Sequence, residues 1–142
     1  TPKPSSAASD VYKRQAQNHP SDRAWVYRLD TTTPFLRYSG MGAMHALDLP
    51  ILFQRYDQDK GRIAVLLGGR DEMRATTVAM QSRWRQFVHS HNPGFDPYSL
   101  GFATQVFDAH FPAGEETIYD PQPELREAWA QVQWDKQEEM FG

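Results

Sequence analysis

Met73, Thr77, Met80, Trp84, Phe87 and His91 stand four, three, four, three and four residues apart. That interval lines all six along one side of an α-helix, with Arg70, Arg74, Arg83 and Arg85 spread around the rest. The spacing predicts a helix over residues 71–89, stopped by Asn92-Pro93-Gly94. β-forming segments flank it. Residues 24–29 (AWVYRL) read as a strand ended by Asp30-Thr-Thr-Thr-Pro34. Residues 104–107 are the strand candidate in an otherwise irregular stretch from 95 to 114, and residues 116–119 (ETIY) read as a short terminal strand. Pro123 opens a last helix running to about Met140, with Leu125, Trp129, Val132 and Met140 as its apolar positions. Strand, loop, helix, strand, helix is the order of an α/β protein. Two or three strands are too few for a complete doubly wound sheet, so the pattern describes the tail of a larger domain.

Between the first strand and the long helix the chain is less regular. Residues 39–42 (SGMG) form a flexible turn leading into 43–48, which carry His45. Residues 49–53 (LPILF) are compact and apolar, with Pro50 suited to the first turn of a short helix. Residues 56–61 (YDQDKG) read as a polar loop, and 63–67 (IAVLL) as either a short strand or a buried helical turn.

Composition sets limits. Over 142 residues the net charge is −3 and 39% of residues are hydrophobic, which is the balance of a globular chain rather than a disordered one. Neither sign of charge dominates, so nothing points to a nucleic-acid or anionic-membrane partner. The longest apolar run, residues 63–67, is far short of the ~18–20 residues a spanning helix needs. With no cysteine, a disulfide framework, a zinc ribbon and a thiol nucleophile are excluded within these residues. The compartment stays open, since cytoplasmic and secreted bacterial enzymes both do without cysteine. Four Trp, six Tyr and eight Phe imply substantial buried surface.

Residues 5–15 (SSAASDVYKRQ) resemble, residue for residue, the in-frame translation of a transposon-type sequencing adapter. On that basis residues 1–15 are expected to be a non-native, disordered tail and residues 16–142 a fragment whose upstream part is missing. The other reading is a disordered Ser/Ala/Pro-rich leader.

The segment Gly42-Ala-Met-His45-Ala-Leu-Asp48-Leu-Pro-Ile-Leu-Phe53 resembles the catalytic-histidine loop of the type-B carboxylesterases and cholinesterases. There a Gly-x-x-His is followed by an acid and an apolar stretch ending in Phe. Met80-Gln-Ser-Arg-Trp84-Arg-Gln-Phe87, closing on Asn92-Pro93, is similar to the family's long downstream helix. Glu116-Thr-Ile-Tyr-Asp120 and the residues to Trp129 are similar to its terminal strand and helix. The three occur in the family's order and span nearly everything from Ala24 onward. Two departures are local: His91 stands where the family commonly has Gly, and Phe95-Asp-Pro-Tyr98 replaces a Trp-Pro pair.

The resemblance implies the C-terminal portion of an α/β-hydrolase fold, an incomplete sheet with flanking helices. It also implies a serine carboxylesterase acting on small-molecule esters without cofactor or metal. His45 would be its general base, and Met44 either a residue of the acyl or alcohol pocket or a core-packing residue. Imidazole suits the role because it is largely unprotonated at neutral pH and can return the proton to the leaving alcohol. In this fold the triad runs serine, acid, histidine along the chain. No Gly-x-Ser-x-Gly occurs here, no oxyanion loop is evident, and Asp48 is too near His45 to be the triad acid. The fragment alone is therefore expected to be inactive. His89 and His91, two residues apart at a helix end, point to different faces and are not expected to hold a metal. The resemblance also admits a homodimer through the terminal helices, and a non-catalytic cholinesterase-like binding or adhesion protein as the alternative. A small independent α/β interaction domain is the third reading.

Overall fold

In the computed structural model, residues 24–44 and 46–130 are described. Three strands form one sheet in the order β1-β2-β3: β1 is Val26–Leu29, β2 Ala103–Phe107 and β3 Glu115–Tyr119. β1 and β2 run parallel, with Tyr27 opposite Gln105 and Leu29 opposite Phe107. β3 returns antiparallel to β2, with Thr117 opposite Gln105 and Glu115 opposite Phe107. The parallel pair requires a crossover, supplied by helices α1 (Pro34–Tyr38), α2 (Asp48–Leu52), α3 (Asp59–Ala64), a 3-10 turn at Leu66–Gly68, and α4 (Arg70–Ser90). Helix α5, Pro123–Ala130, follows β3. The rest of the predicted last helix, to Met140, lies outside the described residues, as does the tail over residues 1–15.

The long helix runs one residue further at each end than its spacing predicts. Met73, Thr77 and Met80 on the expected face are buried, while Phe87 is 44% exposed and His91 fully on the surface. The stripe is thus covered over its first half and emerges over its second. His91 ends the helix in the left-handed region (φ 56°, ψ 23°), its N–H donating to Phe87 C=O at 2.8 Å. A helix C-terminus in this conformation favours glycine, which is the physical sense of the glycine commonly found there.

By the register, Tyr27, Gln105, Phe107, Glu115 and Thr117 share one sheet face. Helix α4 lies over that face: Trp84 meets Tyr27 edge-on at 5.0 Å between ring centroids and Phe107 at 6.4 Å. Leu36, Leu47, Ile51, Tyr56, Met73, Met80 and Phe107 form the main core cluster between crossover helices and sheet. All five residues of β2 are buried, even though Thr104 and Gln105 are polar. Gln105 is satisfied on both ends of its amide, donating to Glu115 at 2.8 Å and accepting from Thr117 at 2.6 Å. Arg83 of α4 then grips Glu115 through Nε and Nη2, at 2.8–3.0 Å. Arg83 therefore joins helix to sheet rather than facing away with the other arginines.

Two short helices were not evident in the sequence. The Asp30-Thr-Thr-Thr-Pro34 stretch does end β1, but Thr33 caps α1 and Pro34 is its first residue. Thr31 is fully buried and bonds Thr76 Oγ1 at 2.7 Å, so its polarity serves the interior. Residues 56–61, read as a loop, contribute the start of α3. Residues 63–67 are helical, not a strand, and Ile63, Leu66 and Leu67 are exposed rather than buried. In the Gly68-Gly69 pair, Gly68 is favoured by its φ of +90° and Gly69 by packing. A Cβ on Gly69 would lie 2.5 Å from Thr33 Cβ and 2.6 Å from Ala64 O, so α1 can approach only glycine there.

Candidate active site

The loop that carries His45 is built from β1 outward. At the end of β1, Asp30 N–H and Thr31 N–H both donate to Phe107 C=O, at 2.9 and 3.2 Å, tying the exit to the neighbouring strand. Helix α1 follows, and its Leu36 carbonyl accepts from Met41 N–H and Gly42 N–H at 3.1 and 3.3 Å. These bonds fix where the loop begins. Gly42 has φ +60°, and a Cβ there would meet nothing within 4 Å. Glycine is thus favoured by backbone conformation in this chain, not by a close approach.

His45 itself lies outside the described residues. Its neighbours do not: Leu47 N–H donates to Met44 C=O at 3.2 Å, and Ala46 has φ +61°. A left-handed alanine costs roughly 1 kcal/mol, and strain of this kind persists where the surroundings over-determine it. Met44 is partly buried and packs against the main core cluster. The hollow beside the loop, of about 310 Å³, is lined from Ala46 onward by Leu49, Pro50, Arg55, Gln58, Lys60 and Gly61.

Helix α2 anchors the far end of the loop. Leu47 and Ile51 are fully buried. Thr77 Oγ1 donates to Ile51 C=O at 2.8 Å, and Gln81 Nε2 to Leu52 C=O at 2.8 Å, binding α2 to α4. Leu47 gives α2 no side-chain cap. Asp48 in the first turn suits the helix dipole, and its Oδ2 accepts a 3.2 Å hydrogen bond from Tyr27 Oη on β1. Asp48 is therefore engaged with the sheet rather than solvated on a loop. Tyr27 is held in turn between Trp84 and Phe107, at 5.0 and 6.1 Å. Burial, and then the Asp48 charge and hydrogen bond, push the Tyr27 phenol up to about 12. At neutral pH it is a donor.

A second histidine drew no attention in the sequence. His110, on the loop after β2, bonds Asp108 Oδ1 through Nδ1 at 2.7 Å. This His–Asp pair has the shape of half a triad, but Arg37 Nη1 stands 3.3 Å from the other ring nitrogen, where a nucleophile's hydroxyl would have to be. Arg37 can only donate, so Nε2 is the acceptor and the pair closes a surface loop. Among the described residues, no group of three or more His, Asp or Glu is placed to hold a metal. Among them, too, no helix is long and apolar enough to cross a membrane.

With this geometry in view, the chain is similar to the carboxylesterase EST55 of Geobacillus stearothermophilus in two crystal structures. Identity is 29% to the structure at pH 6.2 and 27% to that at pH 6.8, with a TM-score of 0.54 in each case. Each similarity covers 74% of this chain but 21% of the esterase, so the chain spans about a fifth of that protein's length. No protein-family model and no curated protein matches the chain. Its mixed α/β content, partial sheet and flanking helices match part of a carboxylesterase α/β-hydrolase, and the similarity supports a carboxylesterase-like family.

Proposed function

We propose that the chain is the C-terminal part of a type-B serine carboxylesterase and supplies the triad histidine, His45. The observation that carries this reading is the histidine-loop motif, Gly42 to Phe53, in a chain whose fold matches part of a carboxylesterase. Hydrogen bonds hold the start of the motif against α1, its Asp48 against β1 and its helix α2 against α4, as a catalytic loop requires.

In the intact enzyme a serine from upstream attacks the ester carbonyl while His45 accepts its proton. The tetrahedral intermediate collapses, the C–O bond to the alcohol breaks, and His45 returns the proton to the departing alkoxide. Water then attacks the acyl-serine, giving a proton to His45, which returns it to the serine oxygen as the acyl C–O bond breaks, releasing the carboxylic acid and the free serine. Two residues of this machinery, the serine and the acid, belong to the upstream part. The 142-residue chain by itself hydrolyses no ester in this account.

The fragment reading has independent support in the sheet. Among the described residues β1 pairs only with β2, leaving its outer edge without a strand. Beside that edge lies a groove of about 380 Å³ lined by Trp25, Tyr27, Trp84 and Phe87. Parallel sheets are normally covered on both faces and paired at their edges.

The test is the DNA sequence upstream of Ala16 in the source sample. A Gly-x-Ser-x-Gly elbow followed by an Asp or Glu before this segment is the expected result. The fold with its serine replaced would make the parent a binding relative, and the absence of both would end the esterase reading.

A further inference from the structure

We propose that Tyr27 is a positioning residue for the histidine loop, holding Asp48 through its hydroxyl and thereby fixing the segment that carries His45 against the sheet. The proposal rests on the reading of His45 as the general base.

The loop has an anchor on each side. Upstream, Leu36 C=O receives two backbone N–H groups. Downstream, α2 has no side-chain cap of its own, and its first-turn acid reaches across to β1 instead. Tyr27 is well placed for this. It sits on a strand whose register with β2 is fixed at four positions, and two aromatic neighbours, Trp84 and Phe107, brace its ring edge-on. The hydroxyl is the only part of the side chain that reaches the loop segment through a hydrogen bond in the structure. Its phenol stays protonated until about pH 12, so the donor is present throughout the range in which an imidazole base can work. The hydrogen bond ties the sheet to Asp48, which stands three residues after His45 in the sequence. Reactions that depend on a base in hydrogen-bond reach of a hydroxyl are sensitive to such placement: a shift of about 1 Å can cost ~10²-fold in rate.

Tyr27→Phe keeps the ring and its packing and deletes only the hydroxyl. In the intact parent enzyme, with a p-nitrophenyl ester as substrate, it should lower kcat roughly tenfold with KM within about twofold of the parent's. The unfolding midpoint should hold, because the aromatic contacts remain. Asp48→Ala, which removes the acceptor, should cost a similar factor alone and little more in the Tyr27→Phe background, since both act through one bond. Asp48→Asn, whose amide oxygen still accepts, should retain more activity than Asp48→Ala. An unchanged kcat in Tyr27→Phe, while His45→Ala abolishes turnover, would overturn the proposal and leave the esterase reading intact. A fall in stability without a fall in kcat would also overturn it, because that is the mark of a structural strut. Turnover that survives His45→Ala would remove the esterase reading and this proposal together.

Discussion

His91 is the residue whose cost is clearest. It holds a left-handed conformation that glycine adopts freely and that a side chain adopts at about 1 kcal/mol. Its side chain is exposed, so little packing is lost on removal. His91→Gly should therefore stabilise the intact parent by about 1 kcal/mol in denaturant unfolding. A neutral or destabilising result would mean that the imidazole makes a compensating contact in the complete protein. Tyr27 gives a second residue-scale expectation, with a definite sign. Its folded-state phenol is raised from 10.0 to about 12, so folding favours the protonated form. The stability this contributes is complete below about pH 10 and is lost as pH rises through about 12. Spectrophotometric titration should show late-ionising tyrosines, Tyr119 beside Asp96 being raised as well, and Tyr27→Phe should remove one of them. At this scale the sequence was only partly informative. The motif marked His45 and Asp48, but the partner of Asp48 lies twenty-one residues away on a strand and no spacing rule connects them.

Elements whose sequence period agrees with their environment were legible. Helix α4 followed from its four-three spacing, and β1 and β3 from β-formers bounded by turn residues. The helices of five and six residues show the limit. α2 was foreseen from Pro50, whereas α1 and α3 are too short to display a period, and their ends are set by Thr33 and by tertiary packing. β2 was recognised as a strand, yet its complete burial was not predictable with two polar residues, Thr104 and Gln105, side by side in it. That burial depends on a network: Gln105, Glu115, Thr117 and Arg83 satisfy one another across two strands and a helix. Glu115→Ala would take the acceptor from the amide N–H of Gln105, which is 1% exposed, and from Arg83 Nε and Nη2. The expected cost is about 2–3 kcal/mol in the intact parent, with Glu115→Gln costing less because it keeps an acceptor. Equal losses in both variants would show that charge, rather than hydrogen-bond satisfaction, holds helix to sheet.

On the scale of the whole molecule, the described residues form a core cluster and leave several large apolar side chains exposed. Phe87, Val88, Phe53 and Leu49 are 44%, 71%, 64% and 53% exposed, and β1 has an unpaired edge. Expressed alone, the 142-residue chain should expose apolar surface, bind a hydrophobic dye, aggregate, and show no esterase activity. A sharp two-state unfolding transition of soluble monomer would instead mark an independent domain and sink the fragment reading. The α/β class was legible in the sequence because strand and helix signals alternate. Which strands pair, and that β3 returns antiparallel, became apparent only with the registers in hand. The central claim concerns His45, and its most direct test is ester hydrolysis by the intact parent and by its His45→Ala variant. The account predicts turnover of a p-nitrophenyl ester by the parent and a loss of at least ~10³-fold in the variant, both proteins being equally folded. Undiminished turnover in the variant would contradict it.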